Sequence, residues 1–185
     1  EVDAYVQVAK MLESCGNVLK KENPDIVIVY GDTNSTLSGA LAASKLKIPI
    51  IHVEAGIRSD DKNSPEEQNR KVVDAVSTYL LCPTKQAVEN LKKENLNGVF
   101  IGDVMLDLFN SVQKRLSLKV NETADNDYYL ATIHRQENTE NIQNLLWIMN
   151  QLESLGKKII FPIHPRTKKA LNNIKFKEKN ITFIK

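Results

Sequence analysis

Residues 26–34 read Ile26-Val27-Ile28-Val29-Tyr30-Gly31-Asp32-Thr33-Asn34. A five-residue apolar run, mostly β-branched, stops abruptly at turn-forming residues. Apolar at every position, it predicts a strand inside a parallel sheet covered by helices. Ahead of it, Val2, Tyr5, Val6, Ala9, Leu12, Val18 and Leu19 recur at helical spacing, and Pro24 ends that helix. Behind it, Leu37, Leu41 and the stretch Ala42 to Leu46 predict a second helix, capped by Asn34 or Ser35.

The alternation continues outward. A second apolar strand spans 49–53, a long polar loop spans 56–65, and helix signals run over 66–77. A strand at 79–82, a helix at 85–94, a strand at 99–101 and an amphipathic helix at 104–117 follow. Residues 118–126 lose periodicity and read as a linker. The pattern then restarts with strands at 127–133, 158–163 and 181–184 and helices at 140–155 and 168–173. The repeated strand–helix order predicts a doubly wound α/β architecture with parallel sheets. Residues 1–117 are read as most of one domain, 118–126 as the linker, and 127–185 as the first part of another. Three strands make a poor complete sheet. The first residue is Glu1 rather than Met. Both features predict that the chain lacks part of each end of a longer protein.

Composition narrows the function classes. In 185 residues, 25 Lys and Arg balance 23 Asp and Glu, so no basic excess marks a nucleic-acid or membrane-surface protein. Apolar content of 42% excludes wholesale disorder. No apolar stretch approaches the roughly 20 residues that cross a bilayer. Two cysteines, Cys15 and Cys82, make neither a disulfide framework nor a metal cluster, which predicts a cytoplasmic setting. No metal-ligand spacing, P-loop or GxGxxG is present, so neither a metal nor NAD is expected.

Open parallel sheets bind ligands beyond the carboxyl ends of their strands. Those positions hold Gly31-Asp32-Thr33, Glu54-Ala55-Gly56, His134-Arg135 and His164-Pro165-Arg166. Asp32 can serve as a base or accept from a sugar hydroxyl; it can equally cap a turn. Glu54 emerges from a buried strand, where an ion is costly, and Gly56 permits close backbone approach. Alternatively, Glu54 is a structural hydrogen-bonding group. His52 reads as a satisfied strand histidine. Glu66 and Arg70 open a helix after Pro65; they either pair with each other at i,i+4 or are brought to the site by the long loop. His134 and Arg135 before a helix make a fair diphosphate site. His164 and Arg166 read either as partners in that site or as surface charges on a turn. Carboxylates lie in the first half and cations in the second, which suits a phosphate-bearing substrate with a proton to be moved.

Four motifs in order sharpen this: Tyr30-Gly31-Asp32-Thr33-Asn34-Ser35-Thr36, His52-Val53-Glu54-Ala55-Gly56-Ile57-Arg58, Pro65-Glu66-Glu67-Gln68-Asn69-Arg70 and Thr132-Ile133-His134-Arg135-Gln136-Glu137-Asn138. Together they resemble the non-hydrolysing UDP-N-acetylglucosamine 2-epimerase family. The resemblance implies Rossmann-like sheets in a two-domain, glycosyltransferase-B-like arrangement. It implies an isomerase that interconverts UDP-N-acetylglucosamine and UDP-N-acetylmannosamine without NAD or metal, by eliminating UDP to 2-acetamidoglucal and adding it back. Asp32, Glu54, Glu66 and His134 match the family's catalytic positions. Arg58, Arg70, Arg135, His164 and Arg166 are expected at the substrate. A cytoplasmic role in polysaccharide biosynthesis and a homodimeric full-length protein are further expectations. The resemblance also extends to the branch acting on UDP-2,3-diacetamido-2,3-dideoxy-glucuronate, and a UDP-sugar-binding, glycosyltransferase-like protein is the remaining alternative. The N-terminal Gly-Thr-Arg-Pro-Glu loop of the family is absent from the chain, so these 185 residues alone are expected to be inactive.

Overall fold

The computed structural model describes residues 3–61, 63–116, 127–172, 174, 176 and 179–184. The expected linker, 118–126, lies outside the described residues. The chain divides into two compact units, 1–119 and 120–185.

Among the described residues, the first unit is built on four parallel strands in sequential order: β1 (Val27–Tyr30), β2 (Ile50–Val53), β3 (Tyr79–Cys82) and β4 (Gly98–Phe100). The helices are α1 (Ala4–Glu22), α2 (Asn34–Lys45), α3 (Pro65–Val76), α4 (Lys85–Lys93) and α5 (Val104–Leu116). Helix α1 ends where Asn23 turns left-handed and its N–H reaches Leu19 O, with Lys20 and Lys21 beside the negative helix end.

Two apolar clusters fix α2, α3 and α4 to one side of the sheet. Val29 and Ile50 pack with Ala40 and Ala43 of α2 and Val73 of α3. Leu80 and Cys82 pack with Ala87 and Leu91 of α4. Small residues let α2 lie close to the strands, and each fully buried Leu or Ile contributes about 1.5–3 kcal/mol. The prediction that β1 is covered on both faces fails in this chain. Ile28 is 50% exposed and Tyr30 61% exposed, because α2 packs on the alternate face that carries Val29.

The N-cap of α2 is Thr33, whose Oγ1 accepts from Thr36 N–H, rather than Asn34 or Ser35. Asn34 is engaged elsewhere: its amide donates to Gln7 Oε1 and its Oδ1 accepts from Asn69.

Among the described residues, the second unit has three parallel strands, β5 (Tyr128–Leu130), β6 (Lys158–Pro162) and β7 (Ile181–Ile184), paired in sequence order. Leu145 and Met149 of α7 (Ile142–Ser154) pack on Ile159, Phe161 and Ile181. The expected helix over 140–155 starts later, because Asn141 leaves helical geometry and caps α7, separating it from α6 (Gln136–Glu140). Strand β5 ends before the expected 133: Ala131 N–H still reaches Ile160 O, and the chain then leaves the sheet. Helix α8 covers Pro165–Asn172.

Candidate active site

In the first unit the polar groups gather at the carboxyl ends of β1 and β2. Gly31 follows β1 at φ +65°, a left-handed turn that brings Asp32 off the strand end. Glu54 follows β2 at φ +72°, a conformation that costs a non-glycine residue about 1–3 kcal/mol and gathers at functional sites. The two ends meet: a β-carbon on Gly31 would stand 3.4 Å from Glu54 Oε2. Glu54 is half-buried, and its carboxylate accepts no hydrogen bond among the described residues.

Asp32 is held from α3. Arg70 Nη2 donates to Asp32 Oδ2 at 2.6 Å, and Asn69 Nδ2 donates to Asp32 O at 2.8 Å. The i,i+4 alternative for Arg70 and Glu66 gives way to this arrangement. Arg70 Nη1 instead donates to Glu67, its i−3 neighbour, at 3.2 Å. Glu67 is buried, accepts from Ser59 N–H at 2.9 Å and pairs with Lys71 at 3.3 Å, so it ties the 56–65 loop to α3. Glu66 is exposed in the first turn of α3 and accepts from Ser64 Oγ at 2.7 Å.

Beneath these groups lies a buried ionic network. Asp74 of α3 faces His52 Nδ1 through Oδ1 at 2.7 Å. Its Oδ2 accepts from Gly56 N–H at 3.1 Å and from Arg58 Nη1 at 2.8 Å. Arg58 also donates to both Glu94 oxygens, at 2.8 and 2.5 Å, and to Ile57 O at 2.8 Å. Hydrogen bonding to Glu94 raises the Arg58 pKa despite burial, and the same contact holds the Glu94 carboxyl below the usual carboxylate range. Burial pushes the Cys82 thiol up to about 11, which makes it inert. Gly56, at φ +78°, is required here, because a β-carbon would run into the Ala87 carbonyl.

The second unit carries its polar groups differently. His134, Arg135, His164 and Arg166 are all exposed, at the carboxyl ends of β5 and β6. The two imidazoles lie 5.7 Å apart. Arg166 Nη1 donates to His134 O at 3.3 Å, and the buried Thr167 hydroxyl donates to Ile133 O. Arg166 N–H donates to His164 Nδ1 at 3.2 Å, which leaves Nε2 as that ring's donor. Such an arrangement presents cationic and donor groups to an anion at little conformational cost.

The structure therefore brings Asp32, Glu54 and Arg70 together and sets Glu66 at the start of the same supporting helix. It gathers His134, His164 and Arg166 in the other unit, with Arg135 next to His134. Sequence reading missed Glu67, Asn69, Asp74 and Glu94 as supports. Asp74 carried one usable signal, an acid one helical turn beyond Arg70. Among the described residues, no helix is long and apolar enough to cross a membrane, and no group of three or more His, Cys, Asp and Glu is placed to hold a metal ion.

A sequence model of the family described as UDP-N-acetylglucosamine 2-epimerase matches residues 2–185. A UDP-N-acetylglucosamine 2-epimerase homolog of Methanococcus maripaludis is 48% identical over 181 residues, covering 94% of this chain and 51% of that protein. The UDP-2,3-diacetamido-2,3-dideoxy-D-glucuronate 2-epimerase of Pseudomonas aeruginosa is 40% identical over 176 residues, covering 91% of this chain and 50% of that protein. The crystal structure of Methanocaldococcus jannaschii UDP-GlcNAc 2-epimerase in complex with UDP-GlcNAc and UDP superposes with a TM-score of 0.87 at 40% identity, covering 100% of this chain and 56% of that one. The chain spans about half the length of the curated relatives it matches.

Proposed function

The chain belongs to the UDP-N-acetylglucosamine 2-epimerase family, and on that premise we propose that the protein interconverts UDP-N-acetylglucosamine and UDP-N-acetylmannosamine. A carboxylate removes the proton from sugar C2 while the C1–O bond breaks. UDP leaves with the bonding electrons, and a C1=C2 double bond forms 2-acetamidoglucal. A proton is then delivered to the opposite face of C2 and a UDP oxygen returns to C1. Atoms and charge balance, and only the configuration at C2 changes.

One observation carries this reading: an oriented carboxylate, Asp32 on Arg70, and a second, half-buried carboxylate, Glu54, stand at adjoining strand ends. Proton transfer on two faces of one carbon calls for two carboxyl groups in different environments, here Asp32 held by Arg70 and Glu66 exposed in the first turn of α3. Asp32 and Glu66 serve the proton transfers, and the charge of Glu54 tunes them. Arg70 orients Asp32. His134, with Arg135, His164 and Arg166, meets the diphosphate charge that grows as UDP departs. Arg58 acts on the substrate indirectly, through the loop that it holds with four hydrogen bonds. UDP-GlcNAc and UDP in the Methanocaldococcus jannaschii structure support a UDP-sugar as substrate. A cytoplasmic homodimer completes the proposal; two free cysteines agree with the compartment, and sedimentation of the full-length protein tests the dimer.

The test is proton NMR of UDP-N-acetylglucosamine incubated with the full-length protein in D2O. The expected result is the manno epimer carrying deuterium at C2. Absence of both epimer and deuterium would contradict the substrate, and the same experiment on the diacetamido-uronate would then decide between the two branches.

A further inference from the structure

His52 is a fully buried group that takes no part in the proposed proton transfers. Its position is nonetheless unusual. Nε2 lies 2.9 Å from Gly31 O and Nδ1 lies 2.7 Å from Asp74 Oδ1. A carbonyl oxygen only accepts, so Nε2 donates. Nδ1 faces the Oδ1 of Asp74. The other Asp74 oxygen accepts from the Arg58 guanidinium and the Gly56 N–H, which fixes the carboxylate against the ring. The other titratable groups around it are the Cys82 thiol, the Glu54 carboxylate beside Gly31, and the Asp32–Arg70 pair.

We propose that His52, donating from Nε2 and braced at Nδ1 by Asp74, is a positioning residue that clamps the Gly31 carbonyl and so fixes the turn presenting Asp32. Asp74 makes the clamp a two-ended one. Through His52 it holds the turn after β1, and through Gly56 N–H it holds the loop after Glu54. Helix α3 thus grips the Gly31–Asp32 turn three times: by Arg70 on the carboxylate, by Asn69 on the Asp32 carbonyl, and by Asp74 through His52 on the Gly31 carbonyl. The left-handed Gly31 has little intrinsic preference for this conformation, so an external grip on its carbonyl decides where Asp32 points. Misplacement of a reacting group by about 1 Å costs on the order of 100-fold in rate.

The kinetic arm of the test rests on the epimerase reading; the spectroscopic arm does not. Ring 15N NMR of the full-length protein labelled at histidine, at neutral pH and without substrate, should show His52 Nε2 in the protonated range. A bare His52 Nε2 would overturn the proposal whether or not the protein is an epimerase. His52→Gln retains a donor near the Nε2 position, and His52→Asn retains one near Nδ1. The expected kinetics are a kcat loss on the order of 100-fold in His52→Asn with KM little changed, and substantial recovery of kcat in His52→Gln. Equal losses in the two variants, or a rise in KM with kcat unchanged, would overturn the positioning role. If the wild type turns over no UDP-sugar, the epimerase reading fails while the ring-nitrogen result still decides the clamp.

Discussion

The turn after β1 and the loop after β5 end similar parallel strands, yet they treat their polar side chains in opposite ways. Asp32 is gripped by Arg70 and Asn69, over a buried network joining His52, Asp74, Arg58 and Glu94. His134 and Arg135 stand exposed, and the Arg135 side chain retains 78% of its surface beside a loose 3.6 Å pair with Glu137. Buried charges are tolerated only when paired, and the pairing fixes geometry. Exposed cations stay available to an incoming anion and contribute little to stability. The first arrangement suits proton transfer, which demands placement, and the second suits phosphate capture, which demands charge.

Substitutions sharpen that contrast. The largest effect is expected for Asp32→Asn, with kcat falling about 100- to 10,000-fold in the epimerisation assay while thermal unfolding stays nearly unchanged. Arg58→Met should act oppositely, through the fold. It leaves Asp74 and Glu94 without their cation and should cost about 3–5 kcal/mol, read by denaturant unfolding. Arg135→Ala should leave unfolding within about 0.5 kcal/mol of wild type and weaken UDP-sugar binding about 10-fold, the loss of one charged hydrogen bond, as read by calorimetry.

The smallest effect concerns acid. Arg58 holds the folded Glu94 carboxyl below its usual range, so this pair's contribution to stability is present above the ordinary glutamate pKa and fades as pH falls through the lowered one. Glu94→Gln should therefore flatten the acid limb of the stability profile and leave the second unit's unfolding unaltered. An unchanged acid limb would separate Glu94 from the network.

Local patterns made the strands and the positions just after them legible. The run ending at Tyr30-Gly31 and the one ending at Val53-Glu54 announced where Asp32 and Glu54 would stand. The supports were illegible because they come from far along the chain. Glu94 reaches Arg58 across 36 residues and Asp74 reaches His52 across 22. No periodicity encodes such partners. The capping of α2 shows the same limit at short range. The sequence offered Asn34 or Ser35, yet Thr33 takes the cap while distant Gln7 and Asn69 engage Asn34. His52 was legible as a satisfied strand histidine, but what satisfied it was not.

The most direct test of the division between the two strand-end clusters is the rate of solvent-deuterium incorporation at sugar C2, at saturating UDP-N-acetylglucosamine, in full-length Asp32→Asn and Arg135→Ala. The account predicts that exchange is all but lost in the first and close to wild type in the second. Wild-type exchange in Asp32→Asn, or loss of exchange in Arg135→Ala at saturation, would contradict it.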